Sequence, residues 1–418
     1  MNSAIAALAG LVLAIVLIIK KVPPVFSLLL GALAGGLLAG WGVETTVSEM
    51  ISGVKDIVPA IVRIIAAGVL SGMLIVTGAA DSIALAIVGK LGAKRVYLAL
   101  ALAAMLLTAT GVFIDVAVIT IAPIALMAGS RMHAPLPKLL LAMIGGGKCG
   151  NIISPNPNTI IASDNFGAPL QGVMFANLIP AVIGLAITVW LIIPLIPEPK
   201  KAGAEAAVNR PADASDRKLP SFWASVAGPL LAVALLALRP IFGIAIDPLV
   251  ALPAGGLFGL LVTGKWRLTL DSLRCGLEKM APVAVLLVGT GTIAGIIKAS
   301  AITSVVVNML SGWGGGELLA AVAGALMCAA TASTTAGATI ASASFSDAIL
   351  AAGVSPVAGA SLVNAGATVL DHLPHGTFFH ATGGCVAMGV SQRMKLIPYE
   401  SLVGLALTAL SLLVQYIL

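Results

Sequence analysis

Five ionisable side chains stand where a hydrophobic chain ordinarily excludes charge. Lys148 lies in the stretch Gly145-Gly146-Gly147-Lys148-Cys149-Gly150-Asn151-Ile152-Ile153-Ser154-Pro155-Asn156-Pro157-Asn158-Thr159, between apolar runs. Asp371, His372 and His375 lie in a second stretch of the same build, residues 364–377, and Asp115 follows a polar interruption at Thr108-Ala109-Thr110-Gly111. An ionisable group at the centre of a bilayer costs at least about 2.5 to 3.5 kcal/mol, so such residues face a bundle interior or a watery cavity. A lysine there is a fixed positive charge suited to an anion; the plain alternative is a structural pair with Asp115. Two histidines and an aspartate close together can take up and release a proton near neutrality, and carboxylate–histidine chains relay protons. His380, further on, is a weaker candidate for the same pathway.

Around these charges the sequence sets helix starts and small polar groups. Helices are expected to begin after Thr110-Gly111, after Asn158-Thr159, after Thr334-Thr335 and after Thr377. The free N–H groups and the positive dipole end of each can hold an anion. Asn and Thr are also ordinary caps, so their place at membrane-buried breaks carries more weight than their type. Asn151, Ser154, Asn156, Asn158 and Ser333 can meet hydroxyl groups. A substrate with one carboxylate and several hydroxyls suits this lining. The four cysteines, Cys149, Cys275, Cys328 and Cys385, are scattered without metal-ligand spacing or a pairing pattern and read as reduced packing residues. No metal, no cofactor and no nucleic-acid partner is expected. No GxSxG-like elbow accompanies Ser154 or Ser333, which argues against a hydrolase using His372 or His375.

The elements that position these residues follow from composition. With 59% hydrophobic and 10% charged residues and a mean hydropathy of +1.09, the chain is read as an integral membrane protein of α-helices, with apolar runs of spanning length and no alternating barrel strands. Glycine costs about 1 kcal/mol and proline about 3 kcal/mol inside a helix, so the helix is expected to break within residues 145–159. Residues 41–56, with Glu44, Glu49 and Asp56, read as an outer amphipathic connector before a crossing at residues 57–80. Residues 97–127 have basic loops on both sides and read as a re-entrant hairpin, tolerated only where protein or a cavity covers its tip. Residues 197–220, the one long hydrophilic segment, read as a cytoplasmic linker between residues 1–196 and 221–418.

The second half repeats the first. Gly53, Pro59 and Gly72 match Gly276, Pro282 and Gly295; Pro137, Gly147 and Pro155 match Pro356, Gly366 and Pro374. The first outer connector is acidic, whereas its counterpart carries Lys265, Arg267, Arg274 and Lys279, so the repeats are read as inverted. That orientation puts both termini outside and leaves only Lys55 and Arg239 on the outer side, as the positive-inside rule requires. Arg63 and Lys298, near outer helix ends, read as snorkelling anchors. The expected architecture is therefore an all-α polytopic membrane protein of two inverted repeats, each with about five transmembrane helices, a re-entrant hairpin and a discontinuous helix. Broken helices at matching places in two repeats mark a secondary transporter's substrate site.

The GGGKCG and SPNPNT stretch, its partner containing LPHGT and the two hairpins resemble the gluconate permease (GntP) family within the larger ion-transporter superfamily. The resemblance implies a transporter of the bacterial inner membrane that moves sugar acids or small hydroxycarboxylates with protons. It further implies a scaffold domain, a mobile transport domain and a homodimer working by an elevator motion. Here SPNP stands where a PPHP-like turn is usual, and the hairpin tips lack the Ser-Asn-Thr signature of sodium-dicarboxylate relatives. The expectation is import of a gluconate-like anion by proton symport, with Asp115, Asp371, His372 and His375 as coupling groups. A sodium-coupled carboxylate symporter and a cation/proton antiporter of the same superfamily are the alternatives.

Overall fold

The structure is a computed structural model describing residues 3–91, 95–132, 134–197, 218–242, 244, 246–301, 315–374 and 376–417. Most of the expected linker lies outside the described residues, as does His375. Among the described residues every regular element is helical. The first half holds α1 (Ser3–Ile19), α2 (Pro24–Leu38), α3 (Val43–Val76), α4 (Ala79–Leu91), α5 (Val96–Ala109), α6 (Ile114–Met132), α7 (Leu136–Asn151), α8 (Pro157–Asn165), α9 (Leu170–Ala176) and α10 (Leu178–Ile187). The second holds α11 (Phe222–Phe242), α12 (Pro248–Val262), α13 (Thr269–Ala299), α14 (Gly316–Thr331), α15 (Thr334–Ala351), α16 (Pro356–Gly366), α17 (Thr377–Gly384), α18 (Val390–Met394) and α19 (Ile397–Ile417). Among the described residues, four helical stretches, Val43–Val76, Leu170–Leu195, Trp266–Ala299 and Val390–Ile417, are long and apolar enough to cross a membrane.

The longest helices, α3 and α13, cross antiparallel at glycines. A Cβ on Gly53 would fall 2.1 Å from Gly291 O and 2.7 Å from Gly295 Cα, and one on Gly72 would fall 2.0 Å from Ser272 O and 2.8 Å from Gly276 N. Only glycine lets the backbones approach so closely, the small-residue packing that drives helix association in membranes. Residues 41–56 are consequently not a separate surface connector. Most of them begin the 34-residue helix α3, and Gly53 faces α13.

Other helix pairs recur in both halves. Gly10 meets Gly31 where α1 and α2 cross, with Ala14 alongside; Gly228 meets Gly255 where α11 and α12 cross, with Ala232 alongside. Gly146 of α7 lies on Ala101 of α5, and Gly366 of α16 lies on Ala321 of α14. Thr108 Oγ1 donates to Gly147 O at 2.9 Å, and Cys328 Sγ donates to Ala367 O at 2.7 Å. The largest hydrophobic core draws on both halves, from Ile57 to Leu407.

The expected break at residues 145–159 is corrected in place. α7 continues through Gly145, Gly146, Gly147 and Lys148 to Asn151, and the chain departs from helix only over residues 152–156. The glycines serve packing: a Cβ on Gly146 would meet Ala101 O at 2.0 Å, and one on Gly150 would meet Met105 O at 2.1 Å. Every residue from Lys138 to Asn151 is buried, so tertiary contact outweighs the roughly 1 kcal/mol propensity cost of each glycine. In the second half α16 ends at Gly366 and α17 begins at Thr377, leaving the described residues between them outside helix.

Candidate functional site

Lys148, one turn before the first break, is fully buried and reaches into the second break. Its Nζ lies 2.6 Å from Asp371 Oδ1, 2.6 Å from Thr368 O, 3.0 Å from His372 Nδ1 and 3.3 Å from Glu400 O. The pairing with Asp115 weighed from sequence is replaced by one with Asp371, 223 positions along the chain, because α7 ends against the residues that follow α16. Asp115, half-buried at the start of α6, is not among these partners. The arrangement meets the requirement that a buried charge be paired and hydrogen-bonded.

His372 is fully buried, and its ring is held from both sides. Nε2 lies 3.0 Å from Ile397 O and 3.1 Å from Ser401 Oγ, while Nδ1 lies 3.0 Å from both Lys148 Nζ and Asp371 Oδ1. The Ile397 carbonyl accepts only, so Nε2 carries a proton. Nδ1 then stands between a donor and an acceptor. Neutral, it accepts from the lysine; protonated, it donates to the aspartate.

The hairpin ends and helix breaks meet this cluster through neutral groups. Ser333 caps α15 by accepting from Ala336 N, Thr334 Oγ1 donates to Asp371 Oδ2 at 2.7 Å, and Thr335 Oγ1 donates to Asn158 Oδ1 at 2.6 Å. Asn156 caps α8 by accepting from Thr159 N, and its Nδ2 donates to Asn151 O at 3.0 Å. Asn364 at the end of α16, absent from the sequence-derived set, donates to Thr159 Oγ1 at 3.1 Å. Among the described residues, three buried atoms at this crossing of the breaks have no protein partner: Asn151 Nδ2, Ser154 Oγ and Asn364 Oδ1.

Other expected residues stay outside the network. Thr110 Oγ1 donates to Leu107 O in its own helix, and Gly111 (φ +100°) makes the first hairpin turn. Thr377 is exposed, and its helix is capped by Gly376 without a side-chain bond. His380 is also exposed, with Nε2 2.9 Å from Pro374 O. Arg63 and Lys298 do more than snorkel. Arg63 lies 2.5 Å from Asp164 at the end of α8 and 2.7 Å from Asp247 before α12, beside a cleft of about 240 Å³. Lys298 lies 3.3 Å from Asp56 and 3.7 Å from Asp347.

Sequence reasoning also missed Arg393 and Glu400. Both are buried, and the guanidinium grips the carboxylate through Nη1–Oε1 and Nη2–Oε2, the latter at 3.0 Å. Arg393 Nη2 also donates to Thr382 Oγ1 at 3.2 Å, and its guanidinium lies over the Phe379 ring. The available signal was Glu400, an acidic residue at the start of the apolar terminal run, seven residues after Arg393.

Apolar spanning helices, two helix breaks packed against each other and a buried cation where they meet define a polytopic membrane transporter. Residues 2–254 match the GntP family permease profile, and this chain belongs to that family. Residues 224–313 also match the Na+-H+ antiporter family. An uncharacterized transporter of Haemophilus influenzae is 52% identical over 413 residues, covering 99% of this chain and 98% of that protein. The gluconate permease of Pseudomonas aeruginosa is 29% identical over 238 residues, 56% of this chain and 53% of that one, so the match spans about half of each. The YdaH transporter of Alcanivorax borkumensis shares the fold, with a TM-score of 0.61 at 16% identity, covering 90% of this chain and 88% of that one.

Proposed function

We propose that this permease imports a small organic anion, a gluconate-like sugar acid or hydroxycarboxylate, together with protons across the bacterial inner membrane. The observation that carries this reading is His372 Nδ1, placed 3.0 Å from both Lys148 Nζ and Asp371 Oδ1. With His372 neutral, Lys148 is engaged by the Asp371 carboxylate. A proton on Nδ1 gives Asp371 a second cationic partner and removes one acceptor from Lys148, freeing the ammonium for a substrate carboxylate. Anion and proton then favour each other's binding, as linkage requires. Asn151 Nδ2, Ser154 Oγ and Asn364 Oδ1 supply donor and acceptor groups for substrate hydroxyls. Asp371 and His372 are the coupling pair, and His375, three residues further along the chain, is a further candidate.

The recurrence of equivalent glycine contacts in the two halves supports the inverted-repeat reading. Gly53 meets Gly295 while Gly72 meets Gly276, the reciprocal pairs a twofold axis produces when Gly53 corresponds to Gly276 and Gly72 to Gly295. Both termini then lie outside, residues 197–220 are cytoplasmic, and a homodimer with a moving unit of broken helices and hairpins is the proposed assembly. The Lys148 cluster is sealed, so transport requires these units to move and open it.

The deciding experiment is uptake of labelled gluconate into proteoliposomes in sodium-free buffer with an imposed pH gradient, acidic outside the vesicle. Accumulation that collapses with the gradient supports proton symport. Uptake that follows a sodium gradient and ignores pH establishes the sodium-coupled alternative, and sodium efflux driven by protons without gluconate establishes the antiporter one.

A further inference from the structure

Two cations stand along one seam of the molecule, each between a carboxylate of its own side and one from across. On the first side are α3 and α13, which cross at glycines, with α12 packed on α3 where a Cβ on Gly256 would meet Leu70 N at 2.9 Å. On the other side are α8 and α15, tied together by the bond from Thr335 to Asn158 and by Asn165 Nδ2 donating to Ser342 Oγ at 2.9 Å. Arg63 of α3 pairs with Asp247, just before α12, and across the seam with Asp164 of α8. Lys298 of α13 pairs with Asp56 of α3 and across the seam with Asp347 of α15. The seam between them is not packed shut. Asp164 lines both the cleft beside Arg63 and a second of about 90 Å³, walled by Asp56 and Lys298 on one side and by Asn165 and Ser346 on the other.

We infer, resting on the moving-unit reading above, that Arg63 and Lys298 form two ionic clasps that hold the unit of broken helices and hairpins in the position seen here. Release of Asp164 and Asp347 leaves Arg63 on Asp247 and Lys298 on Asp56, so the clasps open without stranding either cation. Their strength follows from exposure: the six side chains are 19% to 56% exposed, and water and salt screen such pairs. Each pair across the seam favours the clasped position by about 1.5-fold to fivefold, and the two together by roughly twofold to twenty-fivefold. A bias of that size tunes an equilibrium between two positions without locking it. Asp56 competes with Asp347 for one ammonium, at 3.3 Å against 3.7 Å, so loss of the Asp56 charge strengthens the clasp.

The test reads the two positions directly. Spin labels are placed on the full chain in nanodiscs through Thr45→Cys at the start of α3 and Ala351→Cys at the end of α15, both exposed sites, with Cys275→Ser and Cys385→Ser leaving only the buried Cys149 and Cys328. Distances between the labels give the ratio of clasped to released molecules. Asp164→Asn/Asp347→Asn lowers that ratio by roughly twofold to twenty-fivefold, and Asp56→Asn raises it. Raising salt to about 1 M, where the screening length falls to about 3 Å, lowers the ratio in the parent and leaves the neutralised double variant unmoved. A purely structural tie changes melting and does not move the ratio. A ratio unaffected by the double variant or by salt, or one lowered by Asp56→Asn, overturns the inference. Should the double variant fail to fold, the salt response of the parent and the direction of the Asp56→Asn shift decide. A single distance in the parent and in every variant, with and without gluconate, rejects the moving-unit reading itself.

Discussion

Lys148 serves two ends that separate variants can distinguish. Its ammonium neutralises Asp371 inside the protein, and in the proposed cycle it receives the substrate carboxylate. Lys148→Met leaves Asp371 buried without its ion-pair partner, and breaking a buried pair costs about 3 to 5 kcal/mol. Folded yield and melting temperature should therefore fall in the single variant. Lys148→Met/Asp371→Asn removes both charges and should recover most of that stability, while gluconate binding stays lost by roughly 10-fold to 100-fold, the range of a charge-assisted hydrogen bond. Thermal melts of the detergent-purified protein beside equilibrium binding check this; gluconate binding at parental strength in the double variant would remove Lys148 from the substrate site. Asn364 gives a second, narrower expectation. Asn364→Leu should weaken a polyhydroxy acid roughly tenfold or more relative to an unhydroxylated acid of the same length, because the site loses a hydroxyl partner. Equal losses for both acids in competition binding would make Asn364 a packing residue.

Among the helices, close crossings and ion-paired ends carry the expectations. Gly53→Ala places a methyl group 2.1 Å from Gly291 O, so α3 and α13 must separate; overpacking of this kind costs about 1 to 3 kcal/mol. Gly384→Ala, where an added Cβ meets nothing within 4 Å, serves as the comparison. The melting temperature should drop for the first variant and stay near the parent for the second. At the start of α12, hydrogen bonding from Arg63 holds the Asp247 carboxyl below the usual carboxylate range. A carboxyl depressed in the folded state adds stability above its unfolded pKa of about 3.9, and this is lost as pH falls through the folded value. Asp247→Asn should therefore lower stability slightly at neutral pH and soften the decline below about pH 4, measured by melting at each pH. The effect is small because Asp247 is 43% exposed and water screens the pair. An unchanged acid decline would show that the Arg63 contact contributes nothing to it.

For the molecule as a whole, orientation is the testable property. Reporter fusions at Ala204 and at Leu418 should report opposite sides of the membrane, with Ala204 cytoplasmic. The same side for both would end the inverted-repeat reading, since that reading puts an odd number of crossings between the linker and the C-terminus. Much of the architecture was legible in the chain because hydropathy is a local property: each span carries its own apolar run, and Gly53, Gly72, Gly276 and Gly295 stand out as small residues at matched spacings. The discontinuous helices were legible too, through Pro155, Pro157 and Pro374. Their limits were not. Gly145 to Gly147 look like helix breakers, yet they remain helical because Ala101 and Thr188 press against them. Local propensity cannot report a neighbour that lies far along the chain. For the same reason the sequence singled out Lys148, Asp371 and His372 as charges in apolar surroundings, but only the tertiary structure decided who partners whom. Asp115 is nearer in sequence, yet α7 delivers Lys148 to Asp371, and α19 brings Ile397 and Ser401 to Nε2 of the imidazole and Glu400 to within 3.9 Å of Nδ1. Charge in a low-dielectric interior is governed by distances of a few ångströms, and those distances are set by how the helices pack.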